Sequence, residues 1–223
     1  MPSRPMKNLF LFFAIALCFG CSSKEKAPQE AKPEVAAPAA PGPQTCSYVT
    51  DTQQIKLEWT AYKFTNKTAV KGGFTSVTIN GSNTAATVKD LFMGLSAEVD
   101  GKTPDSKDPV RNGNVRDSFF KKMANDGILK AKPVMVDGDD QKGKIDMEIE
   151  MNGVKQSIPF EYSVTDGVVI AKAFLDFIPF QLQDPLDSLR KACETNHLGP
   201  DGVSKTWPEA DLSLTGPLKK DCK

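Results

Sequence analysis

The residue types able to carry chemistry are few: five cysteines, a single histidine and scattered carboxylates. A zinc site needs several Cys, His or carboxylate ligands converging on one point. No His-x-x-His occurs anywhere, and beyond Cys21 there is no Cys-x-x-Cys. His197 lies just before Gly199-Pro200-Asp201-Gly202 and reads as a turn histidine. Asp139-Asp140 and Asp201-Gly202 lack the alternating carboxylates of a calcium loop. There is no Gly-x-Ser-x-Gly elbow, so Ser/His/Asp catalysis has no support. The residues describe a protein that is not an enzyme, with no metal and no catalytic group. Its cysteines are more informative.

A leader precedes Cys21. Met1–Asn8 is short and positive, and Leu9–Leu17 is an unbroken apolar run. Such a run is too short to span a bilayer as a helix, which takes roughly 20 residues, and it matches the apolar region of a secretory signal. Gly20-Cys21-Ser22-Ser23 then resembles the end of a bacterial lipoprotein signal, with Cys21 as the lipidated N-terminus. Leu17 stands one step further back than is usual, with Cys18 and Phe19 between. Two acyl chains would anchor the protein stably in a membrane. Ser22 after the cysteine points to the outer membrane, so the expected location is the periplasmic side of a bacterial envelope. Behind such a leader, the sequons at Asn66 and Asn80 carry no weight.

Residues 1–20 form the signal and residues 21–45 a tether. From Lys24 to Gln44 the chain is Pro, Ala, Lys and Glu with almost no apolar bulk, a composition that stays unpacked and extended. Residues 46–223 form one domain, long enough for a sizeable core. The whole chain holds 28 Lys and Arg against 28 Asp and Glu, and the leader removes only Arg4 and Lys7. A balanced surface without a basic block excludes nucleic acid as the expected partner.

The period of the domain is two. Ile55, Leu57, Trp59 and Ala61 alternate with polar residues, as do Ile145, Met147, Ile149 and Met151, and then Ile158, Phe160, Tyr162 and Val164. Val168–Phe174 and Ala210–Leu214 follow suit, which marks half-buried antiparallel strands. Asn152-Gly153 and Asp166-Gly167 are hairpin turns. Gly73–Asn80, Thr87–Val99 and Ile128–Val136 complete the expected strands. Two short helices are expected at Asn114–Asn125 and Pro185–Asn196, the second with Asp184 as N-cap. About eight strands and two helices predict an all-β, closed, antiparallel, eight-stranded barrel, with the helices over one end and the other end open.

Several phrases together resemble the YceI-like family. They are Trp59 with Ala61-Tyr62-Lys63-Phe64, then Val70-Lys71-Gly72-Gly73-Phe74, and the hairpin from Glu150 to Phe160. Ser96–Asp100 followed by Arg116-Asp117-Ser118-Phe119-Phe120 completes the set, over roughly residues 52–216. The resemblance implies an exported lipocalin-like barrel with an elongated apolar cavity for isoprenoid-type lipids, quinones included. The stretch Cys193–Trp207 is longer than in simple members.

Trp59, Phe64, Phe74, Leu91, Phe119, Phe120, Met147, Ile149, Phe160 and Phe174 are the candidate lining residues. The residues alone leave open whether they line a ligand cavity or fill the barrel; the resemblance implies a cavity. Tyr62, Tyr162 and Arg116 are the candidate polar contacts. An apolar lipid is thus one expected partner, with the membrane reached through the anchor, and a homodimer is compatible with the sequence. Cys46, Cys193 and Cys222 allow three single pairings in an exported, disulfide-permissive setting. The first and last strands of a closed barrel are neighbours, which favours Cys46–Cys222; pairing through Cys193 would instead pin the second helix over the barrel mouth.

Overall fold

The computed structural model describes residues 45–223; the leader, Cys21 and nearly all of the tether lie outside the described residues. Among the described residues there are thirteen strands and three α-helices. In chain order they are β1 (Cys46–Val49), β2 (Lys56–Lys63), β3 (Thr68–Phe74), β4 (Val77–Gly81) and β5 (Thr84–Ala85), then α1 (Val88–Met93) and β6 (Leu95–Asp100). After them come β7 (Pro104–Asp105), α2 (Pro109–Ser118), β8 (Ile128–Gly138), β9 (Lys142–Met151), β10 (Val154–Thr165) and β11 (Val168–Asp176). The chain ends with α3 (Gln183–Ala192), β12 (Thr206–Pro217) and β13 (Lys219–Cys222). No helix among the described residues is long and apolar enough to cross a membrane.

The antiparallel wall follows from the alternation. Between β9 and β10, Asn152 and Gly153 both adopt positive φ, 54° and 76°, as a two-residue turn of matching twist requires. Met151 therefore pairs with Val154, and the register runs on to Gly143 opposite Tyr162. Met147, Ile149, Met151 and Phe160 are all buried on the inner face. Asp166 and Gly167 repeat the device between β10 and β11.

The sheet is not closed, contrary to the sequence expectation. Ten strands run in the order β4-β6-β8-β9-β10-β11-β12-β2-β3-β7, so the wall is a curled half-barrel with β4 and β7 as unpaired edges. Between β3 and β4, the backbone of Thr75 and Ser76 bonds to Thr103, in the turn after β6, and to Asp100, the last residue of β6. β3 is paired instead with β7, and no ladder joins β7 to β4. Short edges, one of them carrying Pro104, resist pairing with another chain.

A separate three-stranded sheet, β13-β1-β5, closes the far end of the domain. Cys46 stands opposite Cys222 in the β1–β13 ladder, and the two form a disulfide. Cys193 is a buried free thiol. The pairing favoured by the sequence is the one present.

The helices differ from expectation as well. Thr87–Val99 is a helix followed by a strand: Val88, Leu91 and Phe92 share a helical face, and Thr87 caps α1 by accepting from the Asp90 amide at 3.0 Å. α2 starts five residues earlier than expected, at Pro109, because Asp108 accepts from the Arg111 amide at 3.0 Å. α3 begins at Gln183, and Asp184 lies inside its first turn; the N-cap position is Leu182.

Candidate ligand-binding cavity

The inner face of the half-barrel encloses a cavity of about 280 Å³, walled almost wholly by apolar side chains. Close packing at interior density would leave voids hardly larger than a water molecule. A dry apolar space of this size suits an apolar ligand.

Eight of the ten residues singled out in the sequence line it. Trp59 and Phe74 come from β2 and β3, Leu91 from α1, and Phe119 and Phe120 from the turn after α2. Met147, Ile149 and Phe160 form the β9–β10 wall. Trp59 lies flat over Gly72, where any Cβ would meet the indole at 2.3 Å, and its ring nitrogen donates to the Gly73 carbonyl at 3.2 Å. Phe74 and Phe119 meet Phe120 edge-on, with centroids 5.5 and 5.2 Å apart.

Phe64 and Phe174 are not in the wall. In β11 the inward residues are Val169, Ala171 and Leu175, which puts Phe174 on the outer face, 55% exposed. An aromatic at a strand end resembled a core residue, but the phase of the strand decides. Phe64 leaves β2 at positive φ, 61°, after the inward series Leu57, Trp59, Ala61. Its ring sits under the Lys63 ammonium, and its carbonyl accepts from the Trp207 indole at 2.7 Å.

The expected polar contacts are elsewhere. The Tyr62 hydroxyl donates to exposed Asp211, and Arg116 pairs with its neighbour Asp117 on the surface. Tyr162 is buried and donates to the Asp139 carbonyl at 2.6 Å.

Other lining residues went unnamed in the sequence. Leu212 and Leu214 continue the inward phase of β12, a signal present in its alternation. Phe92 was hidden because its helix was read as strand. Val115 and Leu189 come from α2 and α3, and Thr206 and Trp207 from the bulged start of β12, where the register with β2 shifts.

Both ends are plugged. α2 and α3 cover one; at the other, α1 packs Phe92 edge-on against Tyr162 with centroids 5.1 Å apart. The expectation of one open end is thus replaced by a third helix, while half-buried Ile55, just before β2, Leu57 on β2 and Ile79 on the edge strand β4 also line the cavity.

His197 is half-buried, and burial pushes its imidazole below the ordinary value, assisted by Lys63 and Arg111. Burial likewise pushes the Cys193 thiol up. Among the described residues no group of three or more His, Cys, Asp or Glu converges as for a metal.

No known family profile matches the chain, and no curated protein does. Solved structures do. A polyisoprenoid binding domain from Saccharophagus degradans, implicated in plant cell wall breakdown, aligns over 78% of this chain and 98% of its own, at 12% identity and a TM-score of 0.54. BcnA of Burkholderia cenocepacia aligns over 76% of this chain and 99% of its own, at 10% identity and a TM-score of 0.53. These two share the fold of this chain: a β-dominated, curled antiparallel sheet. The resemblance read from the sequence holds at that level.

Proposed function

We propose that this protein is a carrier on the bacterial envelope that holds one long apolar molecule, of isoprenoid type, inside the half-barrel. The continuous apolar cavity of about 280 Å³ carries this reading. The Saccharophagus domain, named for polyisoprenoid binding, shares the fold and supports it. The leader places the protein outside the cytoplasm, anchored through Cys21 with the tether lifting the domain off the membrane. Binding, not catalysis, is its work. A filled barrel acting only as an envelope scaffold would need the interior packed, and it is not.

Mass spectrometry of an organic extract of the purified full-length protein tests the reading. A stoichiometric isoprenoid species supports it. A clean extract that stays clean after incubation with membrane lipids refutes it. Ile149→Trp supplies the control: its side chain points into the cavity, so the variant is expected to lose the extracted ligand while keeping its fold.

A further inference from the structure

The three helices that plug the cavity are not fastened alike. α1 buries Val88 and Leu91, and α3 buries Pro185 and Leu186. α2 is as long as α3, ten residues, and buries none. Val115 is its one residue in the cavity wall, and it is only half-buried; Val110 is 68% exposed. The rest of α2 is polar apart from Pro109 and Gly113, and a mid-helix glycine weakens the helix further. A segment with so few buried apolar contacts opens before the domain around it does.

Its polar ties are mostly local. Arg111 pairs with Asp108, Asp117 pairs with Arg116 and Lys121, and Asn112 accepts from Ser106 just ahead of the helix. Asn114 Nδ2 donates to Cys193 Sγ at 3.6 Å, the one hydrogen bond among the described residues from an α2 side chain to another helix. Sulfur is a weak acceptor. At its start α2 follows β7, whose ladder to β3 holds only Gly73 opposite Asp105 and Phe74 opposite Pro104, and whose other side is unpaired. Lys107, between β7 and α2, has a positive φ of 61°. At its end Phe119 and Phe120 are buried against the cavity. The helix has one fixed end, one loose end and a weak contact between them.

We propose that α2 is the gate of the cavity. It swings outward about Phe119 and Phe120, parts from α3 at the Asn114–Cys193 contact, and lets an apolar ligand pass between the two helices. α1 and α3, held by their buried side chains, stay in place. This rests on the reading of the cavity as a binding site and adds the route by which it fills. A gate that closes alike over the empty and the loaded protein sets how fast a ligand comes and goes, not how tightly it is held.

Two measurements on the full-length protein test the gate. Native-state amide exchange needs no ligand: the amides of Pro109–Ser118 should exchange at least about tenfold faster than those of Gln183–Ala192. Equal protection of the two helices overturns the gate. The second follows a fluorescent apolar probe, 1-N-phenylnaphthylamine, displaced by farnesol in stopped flow. Asp108→Ala removes the cap of α2, so association and dissociation should both rise about fivefold at constant affinity. Asn114→Cys, oxidised onto Cys193 and verified by mass, should slow both rates at least about tenfold, again at constant affinity. Rates indifferent to Asp108→Ala, or to the verified bond, overturn the gate and leave the cavity reading in place. A wild type that binds no probe overturns the cavity reading, and amide exchange then still decides whether α2 opens.

Discussion

At the α1 end, Phe92 packs edge-on against Tyr162, and the Tyr48 and Tyr162 phenols both donate into the Asp139-Asp140 turn. The Val88 amide joins the same turn through Asp140 at 3.4 Å, and the Cys46–Cys222 bond lies in the adjoining sheet. The α2/α3 end is held without a covalent bond. There Phe180, Leu182 and Leu186 are buried under the helices, yet Lys63, His197, Thr206 and Cys193 share the same small region. One end ties its polar groups to a single turn beside a disulfide-linked sheet; the other packs two helices over the cavity and holds a buried threonine bonded to a half-buried imidazole.

The disulfide offers the largest handle on this contrast. It joins residues 176 apart in sequence, and in the chain-entropy model a loop of that size contributes at most about 5 kcal/mol. Reduction, or Cys222→Ser, should lower the unfolding free energy measured in urea by several kcal/mol, with a lower midpoint, and loosen the α1 end first. An unchanged midpoint would show that aromatic packing alone holds that end. Leu182→Ala comes next, at about 2–5 kcal/mol, because a fully buried leucine leaves a hole on truncation. It should open the opposite end, so native-state thiol labelling of Cys193, mapped by mass, should accelerate while Cys46–Cys222 stays intact. Gly72→Ala is smaller, about 1–3 kcal/mol. Its new methyl pushes the Trp59 indole, either into the cavity or off Gly73. Weaker farnesol binding with little loss of stability would place the displaced ring in the cavity.

Most of the wall was legible in the sequence because alternation and Asn-Gly turns are local signals. Met147, Ile149 and Phe160 needed only the period of two and a turn that fixes register. Closure was not legible: the gap between β4 and β7 goes with two residues between β3 and β4, Thr75 and Ser76, bonding to the end of β6 and the turn after it, and with a two-residue β7. α1 escaped because its single turn and a half lies inside a run rich in strand-like residues, though the Thr87–Asp90 cap and the Val88, Leu91, Phe92 spacing were there to be read. Phe174 shows the limit of composition, since an aromatic on the wrong phase faces water. The Thr206–His197 pair was the least visible, as the two residues come from β12 and the turn after α3 and nothing local in the sequence joins them.

The smallest expected effect bears on that pair directly. Burial first, then Lys63 and Arg111, hold the His197 imidazole below its ordinary value of 6.5. A proton therefore binds the unfolded chain more readily than the folded one, and the folded state loses stability as the pH falls through the ordinary imidazole range. His197 is the only histidine. The shifted aspartates, Asp105 and Asp187 among them, are moved below their ordinary 3.8, and Cys193 is moved above 9.0. Between about pH 7 and about pH 5 the slope of melting temperature against pH thus reports this one ring. Wild type should melt progressively lower across that window, and His197→Gln should melt at a nearly constant temperature.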